Sequence, residues 1–175
     1  MNEERSIEVD RMRFTKNTTS SRLVYLAIVL NVLYFISIYK SDVGNYYYTI
    51  LIGASIVYNL VFMLIAFLCS EEVKNYNRSY SWTLIVLGIL QIVRIFIIPG
   101  KMHSTVIATG VESVLHILNY TIPVTMDETV MGTWQYVRVV LYLLASAFCL
   151  FRAARVNLKR SKALQDHIAN LSLQA

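Results

Sequence analysis

Little in this sequence bends, breaks or cross-links a chain. Its 175 residues hold only two prolines, six glycines and two cysteines. Cys69 and Cys149 make neither a disulfide framework nor a metal cluster, so both are expected to be reduced packing residues. Charge is scarce as well, at 15% of residues, against about 25% in an ordinary soluble domain. Recognisable catalytic patterns are also missing: there is no Ser/His/Asp arrangement, no glycine loop that would cradle a phosphate and no nucleophile elbow. The sequence therefore predicts a chain that is not an enzyme and carries no cofactor.

Apolar residues fill the space that these absences leave, making up 56% of the chain. They are gathered into runs of bilayer length, which excludes a soluble domain and predicts a polytopic integral membrane protein. The first 22 residues are polar and mixed in sign, with Glu3, Glu4, Glu8 and Asp10 among Arg5, Arg11, Arg13 and Lys16. A tail followed by a signal-anchor helix is expected from this, with no cleaved leader. Transmembrane helices are predicted over residues 23–39, 47–69, 82–98 and 134–152, within a transmembrane domain spanning 23–152. Thr18 to Ser21 offer capping hydroxyls for the first, Gly44-Asn45 turns the chain into the second, and Pro99-Gly100 stops the third.

Between the third and fourth helices lies a long interval, 100–133. Its middle, 106–122, is moderately apolar but contains Glu112, His116 and Asn119. Charge decides whether it crosses. With four crossings, Arg5, Arg11, Arg13, Lys16, Arg22, Lys74, Arg78, Arg152, Arg155, Lys159, Arg160 and Lys162 fall on one side, and the other side keeps only Lys40 and Lys101. The positive-inside rule then places both termini in the cytoplasm, in a multi-pass protein of the cell membrane. A fifth crossing would export the basic end and bury Glu112 and His116. The interval is accordingly predicted to be an external helical segment lying on the bundle, or a partly re-entrant cap. Asn119-Tyr120-Thr121 within it is a glycosylation sequon.

Polar residues inside the four helices fall on stripes with alternating three and four spacings. The stripes are Ala27-Asn31-Tyr34-Ile38, Ile52-Ser55-Asn59-Phe62-Ala66, Leu84-Leu87-Gln91-Arg94-Ile98 and Gln135-Arg138-Tyr142-Ala145-Cys149. Such seams predict an all-α fold, a left-handed antiparallel four-helix bundle. Asn31 and Asn59 are expected to bond across the first hairpin as an interhelical polar pair. After the fourth helix, 153–175 forms a basic tail with Leu164, Ile168 and Leu171 on one face, suited to anionic lipid or to a docked partner.

The most informative feature is a pair of matching clusters, Gln91-Ile92-Val93-Arg94 and Gln135-Tyr136-Val137-Arg138. An Arg at membrane depth is costly unless it meets protein, water or a counter-charge. Arg94, Arg138, Gln91 and Gln135 therefore have two competing readings: Glu112, Asp127 or Glu128 folds down on the arginines as an internal counter-charge and lid, with snorkelling to lipid phosphates as a variant, or the four residues grip an anion or lipid headgroup. Glu112 and His116, four residues apart on a helix, would be weak metal ligands. Function follows from size and faces: a non-enzymatic structural or accessory subunit of a membrane assembly, either a homo-oligomer or part of a transporter complex, with anion binding or transport at the Arg pair as the alternative. Nucleic acid is not an expected partner, because topology already explains the cations.

Overall fold

The computed structural model describes residues 16–39, 46–97, 99–100, 113–117, 120–124 and 131–173. Four of its helices are long and apolar enough to cross a membrane. They are α1 (Thr18–Tyr39), α2 (Tyr46–Lys74), α3 (Ser79–Ile97) and α4 (Thr133–Leu173), with a short hairpin, β1 (Ser113–Ile117) and β2 (Tyr120–Val124), between α3 and α4. At about 1.5 Å per residue the shortest of the four, α3, spans roughly 29 Å, close to the thickness of a hydrocarbon core. Each helix leaves large apolar side chains facing outward, such as Leu33, Leu64, Phe96 and Phe148. Water would penalise that surface, and lipid tails do not. A multi-pass membrane protein is the class these four helices define.

Local chemistry explains several boundaries. Asn17 opens α1: its Oδ1 accepts from Ser20 N at 3.4 Å and its carbonyl accepts from Ser21 N. The helix thus starts at Thr18, five residues before the expected boundary, because Asn17 caps it rather than the Thr18–Ser21 hydroxyls. α2 closes in a Schellman motif, in which Asn77 N donates to Glu72 O and Tyr76 N to Val73 O. Tyr76 occupies the left-handed position at φ 60°, where glycine is the usual residue. Asn77 Oδ1 then accepts from Ser79 N and starts α3.

The interval after α3 departs from the expected external helix. Its two described segments pair as antiparallel strands, with Ser113 opposite Val124 and Ile117 opposite Tyr120. Val114, Ile117, Tyr120, Thr121, Ile122 and Val124 are β-branched or aromatic, types that pack well in paired strands.

Each helix packs against its neighbours in sequence, and α4 closes the ring by packing on α1. Contacting residues run in opposite order: Ser21 meets Ser70 and Asn31 meets Asn59 between α1 and α2, while Ser20 meets Ala153 and Ala27 meets Ser146 between α1 and α4. Gly88 lets α3 approach α4, since a Cβ there would lie 2.8 Å from the Phe151 ring. The interior forms successive layers. One apolar cluster joins Val24, Ala27, Phe62, Ala66, Leu84, Leu87, Cys149, Leu150 and Ala153. The other joins Tyr34, Ile38, Ile95, Met131, Val139 and Leu143. Cys69 and Cys149 are free and buried.

Buried residues on α1, α2 and α3 follow the predicted stripes wherever those stripes are described. On α4 the buried face is Val139, Leu143, Ser146, Ala147, Cys149, Leu150, Ala153 and Ala154, so Cys149 of the predicted stripe is buried while Arg138 is exposed. The predicted stripe through Arg138 and Tyr142 is turned by one residue, about 100° around the helix. The reason is that a polar cluster marks an inward face only when the helix has something inward for it to meet.

Candidate functional site

Between the two apolar clusters lies a layer of polar side chains from three helices: Asn31 of α1, Ser55 and Asn59 of α2, and Gln91 and Arg94 of α3, all buried. Arg94 is 4% exposed. Its Nη1 donates to Asn59 Oδ1 at 2.7 Å and to Asn31 Oδ1 at 3.3 Å, and its Nη2 donates to Ser55 Oγ at 2.5 Å. Asn31 Nδ2 donates to Asn59 Oδ1 at 3.0 Å, and Gln91 Nε2 donates to Asn31 Oδ1 at 3.2 Å. The guanidinium carbon lies 4.1 Å from the Tyr34 ring centre and 4.7 Å from that of Tyr58. Aromatic faces at these distances attract a desolvated cation by about 2 kcal/mol.

All of these partners are neutral. The acidic residues among the described ones are Glu71, Glu72 and Asp166, near the far end of the bundle or beyond it. Taking a charge out of water costs several kcal/mol, and neutral amides return only part of that. The layer is also incomplete in hydrogen bonds. Arg94 Nε, Gln91 Oε1, Asn59 Nδ2 and Tyr58 OH are buried without a partner. Native interiors leave a few such atoms per hundred residues, and here these four gather around one guanidinium.

The second Arg is placed elsewhere. Arg138 is exposed and lines an outward groove of about 480 Å³ with Trp134, Val137, Leu141 and Tyr142. Gln135 donates to Ser37 O of α1 at 2.8 Å. The structure therefore brings Gln91 and Arg94 together with the Asn31–Asn59 pair and separates them from Gln135 and Arg138. Glu112, Asp127, Glu128 and Asn119 lie outside the described residues. His116 stands in β1, so the helical spacing that would pair it with Glu112 is lost.

A second polar cluster, unforeseen in the sequence, closes the opposite end. Asn157 Nδ2 donates to Asn77 O at 2.9 Å and to Ser81 Oγ at 2.7 Å, while its Oδ1 accepts from Asn17 Nδ2 at 3.0 Å. Arg160 donates to Asn17 Oδ1 and Thr19 Oγ1, Ser20 Oγ to Ala153 O, and Asn17 N to Lys74 O. This clasp joins the start of α1, the α2–α3 turn and α4. Asn157 was missed because it follows the last predicted crossing, in a stretch that reads as a solvated tail.

Comparison of the chain with family models, with curated proteins and with solved structures finds no match.

Proposed function

We propose that this is a four-crossing membrane protein that binds a small anion inside its helix bundle at Arg94, as a binding or transport protein. The observation that carries the reading is a buried guanidinium with no acid beside it among the described residues, ringed by unpartnered polar atoms. An anion would neutralise the charge and engage atoms that now have nothing to bond. Apolar layers on both sides, with Ile38, Ile95 and Met131 toward one end and Phe62, Leu84 and Leu87 toward the other, would keep such a ligand from water. Burial of that kind strengthens each contact to it.

The orientation proposed is N-in and C-in, in a left-handed bundle. The clasp end carries Arg22, Lys74, Arg78, Arg152, Arg155 and Lys159, which supports placing it in the cytoplasm. An impermeant thiol reagent on intact cells is then expected to label Cys introduced at Ser104 and to miss Cys introduced at Ser79. Labelling at Ser79 would reverse the assignment. Native Cys69 and Cys149 are buried and give little background.

Binding is tested by purifying the protein in mild detergent and measuring its melting temperature against a series of small anions. Anion-dependent stabilisation in the wild type that vanishes in Arg94→Met is the expected result. Equal stabilisation of both proteins would overturn the reading. The accessory-subunit reading stands second. Of the small residues on α4 suited to close contact with a partner helix, Cys149 and Ala153 pack within the chain's own core. A homo-oligomer or stable complex recovered from the same purification would favour it.

A further inference from the structure

We infer that the anion held at Arg94 is a small monocarboxylate carrying its own hydrogen-bond donor, of the type of a short 2-hydroxy acid; this rests on the binding reading above. Charge comes first. The layer contains one cation, and Arg138, the other candidate, faces outward. A monoanion neutralises it, whereas a phosphate or sulfate dianion would leave a net negative charge in a low-dielectric interior.

The hydrogen-bond inventory narrows the class further. A guanidinium has only donors, so Asn31 and Asn59 must each turn an oxygen toward Arg94. That fixes the orientation of every amide in the layer. With Asn31 Oδ1 committed as an acceptor, Gln91 must approach it through Nε2, at 3.2 Å, and Gln91 Oε1 is left free. With Asn59 Oδ1 committed to Arg94 and Asn31, Asn59 Nδ2 is left free. The unpartnered set thus holds Arg94 Nε–H, Asn59 Nδ2–H and the Tyr58 hydroxyl as donors, with Gln91 Oε1 as the one pure acceptor.

A carboxylate presents about four lone-pair sites and suits that donor set. It has nothing to offer Gln91 Oε1, and neither has a halide. A hydroxyl next to the carboxylate supplies the missing donor. The Tyr34 and Tyr58 rings lie 4.1 and 4.7 Å from the guanidinium carbon, and crowding of that kind favours a compact ligand.

The test uses the full-length protein in nanodiscs and reads thermal stabilisation by glycolate, acetate, chloride and sulfate at matched ionic strength. Glycolate is expected to bind about tenfold tighter than acetate, the worth of one hydrogen bond to a buried acceptor. Chloride should be weaker still, and sulfate, a dianion without a donor, should have no effect. In Gln91→Met the glycolate advantage should disappear while acetate binding persists. If sulfate binds as well as acetate, if acetate equals glycolate in the wild type, or if Gln91→Met keeps the advantage, this inference fails while anion binding at Arg94 stands. If no anion stabilises the wild type, or all stabilise Arg94→Met equally, the binding reading fails and takes this one with it. The wild-type ratio alone decides the question should Gln91→Met not fold.

Discussion

Two buried polar layers cross this bundle, roughly 20 Å apart at 1.5 Å per residue from Asn17 to Asn31. Both are made largely of the same materials, asparagine amides and serine hydroxyls. In the clasp, Asn17 and Asn157 have every buried side-chain polar atom bonded, whereas around Arg94 four atoms, of Arg94, Asn59, Gln91 and Tyr58, have none. The difference teaches what each layer is for. A network that satisfies itself specifies one packing, and one that does not is either strained or completed by something from outside. The clasp joins elements far apart in sequence, and the Arg94 layer leaves donors and an acceptor unused.

The largest expected effect strikes the closed layer. Asn157→Leu removes three hydrogen bonds and strands Asn77 O and Ser81 Oγ, so it should destabilise the protein by about 3 kcal/mol in thermal or denaturant unfolding. Anion-dependent stabilisation should survive it. If the loss is below about 1 kcal/mol, the clasp is not the self-sufficient layer described here.

Arg94→Met, at the open layer, should split two quantities that move together at the clasp. Stability without ligand should change by less than about 1 kcal/mol, because replacing a buried charge with a hydrophobe of similar size is often neutral. Stabilisation by an anion at a hundred times its dissociation constant, about 2.7 kcal/mol, should vanish. A large loss without ligand would make Arg94 a second structural node and erase the contrast.

Smaller effects refine the picture. Tyr76→Gly relieves the left-handed position in the Schellman turn that aims Asn77 O at Asn157, and should raise stability by about 1 kcal/mol. Arg160→Gln trims only the exposed rim of the clasp and should shift stability by no more than about 0.5 kcal/mol. Differential scanning fluorimetry resolves both.

How much of this was legible in the sequence differs from helix to helix. On α1, α2 and α3 the three and four spacing of Asn31, Tyr34, Ser55, Asn59, Gln91 and Arg94 marked the interior, because in lipid a polar side chain gains most by facing other protein. The same logic misled on α4. Arg138 is near the start of its helix, where a long side chain reaches the interface from an outward face, so its polarity carried no inward meaning. Tyr34 sat in its stripe, but nothing in the spacing said that its ring would cover Arg94. Asn17 and Asn157 gave no periodic apolar signal, and their meeting across 140 positions is set by tertiary packing alone. The hairpin was hidden because 106–122 carries residues that suit a strand or a helix equally.

One consequence of α4 concerns mechanics. Its 41 residues contain neither proline nor glycine, the usual sources of a sharp kink. At about 1.5 Å per residue it is a stiff rod of roughly 62 Å, twice the depth of a hydrocarbon core. Arg138, near one tip, and the basic turns from Arg152 onward are therefore parts of one lever. A tilt of roughly 10° inside the bilayer would swing the far tip by roughly 5 Å, converting a small repacking around the Arg94 layer into a displacement on the other side of the membrane.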